Sequence, residues 1–244
     1  MSQLTAGLEA GITDRAISHY EVGRVVPTPG MVRGLAVAYG ATLEVAKDLG
    51  RLALKAGEPG WWEPDTFADK AGLSTLLDLD DLAESMCQIS TEAIPGLLQT
   101  ERYARSVLTS FPTTPDIEKA VALKLSRSER MWRRDDRPVM RFTITEGAIR
   151  RSIHIDPEQL NHLVRMAEQV DVRVIPDSAE AHAAMSGGFA IVRSRTEHVP
   201  AVVYTEAVSG SRYEENSDVV QAYQTVWDAS TALSLDVRET SYGR

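Results

Sequence analysis

The side chains best suited to acid–base or ligand chemistry are Glu146, Arg150, His154, Asp156, His162, His182 and Glu206. Catalysis by such groups needs carboxylates or imidazoles that converge in a cleft with shifted pKa values. Glu146 and Glu206 each lie just after a predicted strand, where α/β sheets place ligand sites. With Arg150 and His182 they could line an effector pocket. Alternatively both glutamates are structural and pair with Arg150 or Arg212. His154-Ile155-Asp156 and His162 lack a usual metal-ligand spacing, and Cys87 stands alone, so no metal and no cofactor is expected. No nucleophile elbow, Walker loop or dinucleotide fingerprint is present, and Gly187-Gly188 reads as a turn. These residues predict a non-enzyme, with catalysis through Glu146 and Glu206 as a minor alternative.

A different chemistry, reading of a nucleic-acid duplex, is suggested by residues 10–29, AGITDRAISHYEVGRVVPTP. Gly11 falls where the chain must turn sharply between two short helices, and a residue without Cβ is cheapest there. Thr13 is a good N-cap, able to accept from the amide of Arg15 or Ala16. Ala16, Ile17 and Tyr20 can then face inward, while Asp14, Arg15, Ser18 and His19 point out. Gly23 is the expected stop, and Pro27 and Pro29 oppose early continuation. An ordinary helical hairpin with a solvated polar face is the alternative reading.

The N-terminal segment resembles the phage-repressor type of helix-turn-helix regulator, the Xre family. The resemblance rests on Ala10-Gly11-Ile12-Thr13, Ile17-Ser18, Tyr20-Glu21-x-Gly23-Arg24, Pro27-Thr28-Pro29 and Leu35-Ala36-x-Ala38-Tyr39-Gly40. It implies that the helix starting near Thr13 enters the major groove. Gln3, Thr13, Asp14, Arg15, Ala16, Ser18, His19 and Arg24 then form the DNA-facing set. Arg15 could pair with guanine and Gln3 with adenine or phosphate. It also implies a homodimer reading two half-sites about one helical turn apart on double-stranded DNA. Members of that family carry a helix before the Gln3 position, so here the first helix is expected to be missing.

Charge is distributed unevenly. Residues 1–60 carry equal numbers of acidic and basic residues, so the whole net charge of -9 lies beyond them. The acidic remainder should repel nucleic acid and suits a region that binds a protein or senses a small molecule. A solvated surface has the same composition. One cysteine among 244 residues excludes an intrachain disulfide and points to a reducing compartment. The start, Met1-Ser2-Gln3-Leu4-Thr5, has no signal-peptide pattern, and no apolar run approaches the ~20 residues of a bilayer span. A cytoplasmic protein without membrane contact is the expectation.

The elements that must position these residues follow from periodicity. Residues 31–57 read as two more helices, and Gly57-Glu58-Pro59-Gly60-Trp61-Trp62-Glu63-Pro64-Asp65 is the boundary signal. Trp61 and Trp62 suit core or interdomain packing better than ligand stacking. Residues 66–86 look helical, and Ser85–Ser90 reads as a strand. Thr100 caps a helix to about Thr109, and residues 116–134 form a long helix rich in Lys and Arg. Val139–Thr145, Val172–Pro176, Gly188–Val192 and Pro200–Glu206 are strands, Asp156-Pro157 starts a helix, and a last helix spans roughly Ser217–Leu233. The domains expected are 1–57 for DNA binding, 58–87 as linker and connecting helix, 88–235 as a regulatory domain, and 236–244 as a tail. The predicted fold is an all-α helix-turn-helix unit, first helix missing, followed by an α/β (α+β) domain with a mixed sheet.

Residues 88–235 resemble the domain of unknown function (DUF5753) that follows Xre-type units in WhiJ-like, antitoxin-like actinobacterial regulators. The matching residues are Ile94-Pro95-Gly96-Leu97-Leu98-Gln99-Thr100, Tyr103-Ala104, Arg127, Glu129-Arg130, Phe142, Thr145-Glu146 and Ile149-Arg150. Gln159-Leu160, Leu163, Val172–Pro176, Ala181-His182, Gly188-Phe189 and Val203-Tyr204-x-Glu206 continue it. Glu180 replaces the Gly that often precedes the Ala-His pair in that family. The resemblance implies a transcription regulator whose C-terminal domain binds a small protein partner encoded nearby. The alternative is an antitoxin-like interaction module that has lost DNA binding.

Overall fold

A computed structural model describes residues 1–22, 24–58, 60–61, 73–112, 114, 116–196, 198–207 and 210–240. The chain divides into two compact units, Met1–Glu63 with Thr196–Val199, and Pro64–Arg195 with Pro200–Arg244. Its class is the one the sequence predicts, an N-terminal helical region followed by an α+β domain with a mixed sheet.

Among its described residues, the first unit contains α1 (Gln3–Ala10), α2 (Asp14–Glu21), α3 (Pro29–Ala38) and α4 (Leu43–Ala56). Each starts after an extended hydroxyl residue whose side chain accepts an amide three positions on. Ser2 accepts from Thr5 at 3.2 Å, and Thr13, Thr28 and Thr42 accept from Ala16, Met31 and Val45 at 3.3 Å. Gly11 ends α1 at φ 68°, a left-handed conformation that a side chain would strain. The Ile12 amide closes this turn on the Gly7 carbonyl at 2.9 Å. Helix α2 ends at Glu21, and the stop assigned to Gly23 lies outside the described residues. Pro29 opens α3 as its first residue, where its missing N–H costs nothing. Ala6, Ile17 and Leu35 form one small core cluster, flanked by half-buried Ala10, Ile12 and Tyr20, and Ala36, Ala38, Ala46 and Ala53 are buried on α3 and α4. Leu4 and Leu8, one turn apart on α1, stay 63% and 79% exposed.

The second unit is built on one seven-stranded sheet, ordered β6-β5-β4-β1-β2-β3-β7. Its strands are β1 (Ala83–Ser90), β2 (Val139–Thr145), β3 (Asp171–Ile175), β4 (Phe189–Ser194), β5 (Val202–Ala207), β6 (Gly210–Glu214) and β7 (Leu235–Asp236). β1, β2 and β3 run parallel, and the remaining pairs are antiparallel. The helices are α5 (Ser74–Leu82), α6 (Glu101–Thr109), α7 (Ile117–Arg133), α8 (Glu146–Ile155), α9 (Glu158–Met166) and α10 (Ser217–Ala232). Strand alternation splits the sheet into two faces. Met86, Met140, Phe142, Ile144, Val172, Val174 and Val192 meet Leu97, Leu98, Tyr103, Met131, Ile149 and Leu163 on one side. Ile89, Ile175, Phe189, Ile191 and Val203 meet Trp227 and Tyr223 of α10 on the other.

Several boundaries differ from the expected ones. Helix α5 stops at Leu82 and β1 begins at Ala83, so the last residues of the span read as linker and connecting helix belong to the sheet. Val139–Thr145 runs straight into α8, because Thr145 caps it by accepting from Ala148 at 3.4 Å. Strands β6 and β7 were not anticipated. β6 is a polar edge strand with alternating exposure, and β7 has two residues. Trp61 is half-buried, and Trp62 lies outside the described residues.

The run Ile94–Thr100 has little regular structure, yet its polar groups are held. Tyr103 accepts from the Ile94 amide at 3.3 Å, and Gln99 donates to the Ile94 carbonyl at 2.7 Å. Ser128 and Trp132 of α7 both donate to the Leu97 carbonyl, at 3.2 and 3.1 Å. Gln159, fully buried, accepts from the Thr100 amide at 2.9 Å and donates to the Leu98 carbonyl at 2.7 Å. Gln159→Ala leaves both backbone groups unpaired in the interior. Urea unfolding of that variant is expected to show a loss of about 2–4 kcal/mol.

Candidate functional site

Helix α2 presents its residues much as its pattern predicts. Ile17 is fully buried, Ala16 and Tyr20 are half-buried, and Asp14 and Arg15 are exposed. Ser18 and His19, half-buried, follow one turn later on the same stripe. Thr13 is committed to its cap, and Asp14 Oδ1 accepts from the Arg15 amide at 2.8 Å. Gln3 Nε2 donates to Glu21 Oε2 at 2.5 Å, and the Tyr39 hydroxyl donates to Glu21 Oε1 at 3.0 Å. Gln3 therefore braces the two helices against each other through Glu21. Arg24 is exposed just beyond α2. Arg33 donates to the Pro29 carbonyl at 3.1 Å, which ties it to its own helix.

The expected effector set is not brought together as one pocket. Glu146, the first residue of α8, accepts from the Asp177 amide at 2.7 Å. Arg150 approaches Glu146 at 3.6 Å and also pairs with Asp177. This network supports the structural reading of Glu146. Glu206 lies on β5, and β4 and β1 separate β5 from β2. Three strand spacings place those two elements about 14 Å apart. Glu206 sits opposite Ser211, while Arg212 sits opposite Thr205 on the other face, so the expected Glu206–Arg212 pair does not form across the strands. His182 precedes the short 3-10 turn Ala183–Ser186, with Nδ1 buried and lacking a hydrogen-bond partner among the described residues.

Glu206 instead joins a cluster between α5, α7 and the β5–β6 hairpin. Spacings of three residues put Lys124, Arg127 and Arg130 on one stripe of α7, and Arg134 follows as its extended C-cap. Arg127 forks onto Asp80 of α5, with Nε to Oδ2 at 2.5 Å and Nη2 to Oδ1 at 3.1 Å. The two side chains are 17% and 6% exposed. Arg130 pairs with Asp81 through two contacts of 3.2 Å, and Arg134 donates to the Asp80 carbonyl at 2.7 Å. Lys124 ends the stripe half-buried, with no hydrogen bond or ion pair among the described residues.

Across from it, Tyr204 and Tyr213 pair on the same sheet face with ring centroids 5.4 Å apart. Ser211 donates to the Tyr204 hydroxyl at 3.3 Å, whereas the Tyr213 hydroxyl is buried without a well-formed hydrogen bond among the described residues. Burial and the neighbouring Glu206 carboxylate push Tyr204 up to about 12. Burial, followed by the Arg127 guanidinium, brings Lys124 down to about 8, while Glu206 pulls the other way. Gly96 closes the cluster: a Cβ there would lie 3.5 Å from both Arg127 Nη1 and Lys124 Cε.

Sequence reasoning missed Asp80, Lys124, Tyr204 and Tyr213 as site residues. The i, i+3 spacing of Lys124 and Arg127 and the i, i+2 spacing of Tyr204 and Glu206 were the available signals. Among the described residues, no group of three or more His, Cys, Asp or Glu could hold a metal ion, and no helix is long and apolar enough to cross a membrane.

No curated protein and no solved structure matches the chain. Residues 73–242 match the family described as a domain of unknown function (DUF5753), a wider span than the 88–235 that the motifs indicate. From α5 through β7, therefore, the fold is that family's domain, and the chain belongs to it.

Proposed function

We propose that this chain is a sequence-specific DNA-binding transcription regulator of the Xre type. Its acidic C-terminal domain binds a small protein partner or effector. The observation that carries this reading is the α1–Gly11–α2 unit. A left-handed glycine and a Thr13 cap fix the second helix, Ile17 anchors it, and Arg15 is exposed at its N-terminal end. Such a helix can lay its first residues against base edges in the major groove. Asp14, Ser18 and His19 complete the facing stripe, and Gln3 and Arg24 flank it. The active species is a homodimer working on double-stranded DNA in the cytoplasm, without catalysis, cofactor or membrane contact.

Arg15→Ala tests the assignment without touching the core. Its affinity for the cognate duplex is expected to fall by about 1–3 kcal/mol, with relaxed preference at one base position. Unchanged affinity in a fluorescence anisotropy titration would remove Arg15 from the reading set.

One observation favours a second reading. Residues 1–60 have no net positive charge, and Asp14 and Glu21 sit on or beside the recognition surface. Duplex binding normally draws on a clear basic excess. An interaction module without DNA affinity would need no such excess.

A further inference from the structure

The cluster between α7 and the β5–β6 hairpin has no place in duplex recognition, and its polar groups are not all satisfied among the described residues. Arg127 and Arg130 on the α7 stripe, and Arg134 just past the helix end, each meet an Asp80 or Asp81 oxygen. Lys124, on the same stripe, meets no such oxygen within ion-pair distance among the described residues. Arg127 uses Nε and Nη2 on Asp80, which leaves Nη1 beside Gly96. The Tyr213 hydroxyl is buried without a well-formed hydrogen bond among the described residues, and the Ser211 hydroxyl beside it donates to Tyr204. Leaving such groups unpaired costs stability, and a bound anion would recover it.

We propose that Lys124, Arg127 Nη1 and the Tyr213 hydroxyl form a binding site for a small molecule carrying one carboxylate or phosphate group. The ammonium supplies charge, and the guanidinium corner and the phenol supply directed donors. Gly96 lies beside both cations: a Cβ there would be 3.5 Å from Arg127 Nη1 and 3.9 Å from Lys124 Nζ. Glu206, exposed at the edge, disfavours a second negative charge and accepts from a hydroxyl or amino group on the ligand. The site does not depend on DNA binding. Only its role as the effector site of a regulator rests on the function proposed above.

Thermal melting of the full chain without DNA tests the site at pH 7, where Lys124 is charged. Inorganic phosphate and acetate are titrated separately against wild type, Lys124→Met and Tyr213→Phe. The wild-type midpoint is expected to rise by about 3–5 °C at roughly tenfold excess over Kd. Lys124→Met should lose that increment and Tyr213→Phe should reduce it. General salt effects act equally on all three proteins and cancel in the comparison. A response to phosphate alone assigns a phosphate ligand, and a response to acetate alone assigns a carboxylate. Equal shifts in wild type and Lys124→Met, or no shift with either anion, would overturn the proposal. Because no duplex is present, failure here leaves the DNA-binding reading untouched.

Discussion

Arg127→Ala is expected to lower the stability of the C-terminal domain by about 3–5 kcal/mol, the cost of stranding a buried carboxylate. Asp80 is 6% exposed at its side chain, and its two oxygens take a fork of hydrogen bonds from one guanidinium. With the two side chains 17% and 6% exposed, water has little access to replace that fork. The loss comes less from the attraction itself than from the charge left behind. Replacing both partners with apolar residues of similar size, Asp80→Leu with Arg127→Met, should therefore restore most of the stability. Denaturant unfolding of the single and double variants gives both values. A single variant within about 1 kcal/mol of wild type would mean that the pair is hydrated and structurally minor.

Ile17→Ala carries the second large effect and falls on the other unit. Ile17 is fully buried in a cluster with Ala6 and Leu35, and the other buried hydrophobics of this unit among the described residues are alanines, Ala36, Ala38, Ala46 and Ala53. Truncating a buried isoleucine costs about 2–4 kcal/mol, and a unit this small has little stability in reserve. The helical unit should melt while the sheet remains folded. Amide resonances from residues 1–58 would collapse to random-coil positions, those of β1–β5 would stay dispersed, and duplex binding would disappear. Retained dispersion in the first unit would show that half-buried Tyr20, Ile12 and Ala10 hold it without Ile17.

Much of this architecture was legible because local chemistry and tertiary packing agree. Thr13, Thr28, Thr42 and Thr100 each precede a helical pattern, and each caps the helix expected there. Val139–Thr145 alternates at period two and forms the parallel strand beside β1. Where the reading stopped short, the missing information was nonlocal. β6, Gly-Ser-Arg-Tyr-Glu, contains one apolar side chain and becomes a strand because Tyr213 can lie against Tyr204. Residues 66–86 read as one helix on leucine spacing, but Ala83 and Met86 are drawn into the sheet core.

The candidate sites divide the same way. The inward and outward faces of α2 followed from spacing alone, since a single helix fixes them. Glu146 lies at a strand end as its position predicts, and there it meets Asp177 and Arg150 rather than Glu206. Glu206 was singled out with the wrong neighbours. Its actual ones, Lys124 and Arg127, lie on a helix far earlier in the chain, and Asp80 reaches Arg127 across 47 residues. No periodicity specifies such a meeting, because strand order decides it.

The central claim, that α2 reads a specific duplex, is tested most directly by fluorescence anisotropy with DNA from upstream of the chain's own gene. A scrambled duplex of equal length is the reference, and both are titrated at several salt concentrations. Saturable binding to the upstream DNA is expected, at least about a thousandfold tighter than to the scrambled duplex. Affinity should fall as salt rises, since counterions are released on binding. Equal, weak affinity for both duplexes would mean that α2 reads no specific sequence and would leave the chain as a protein-interaction module.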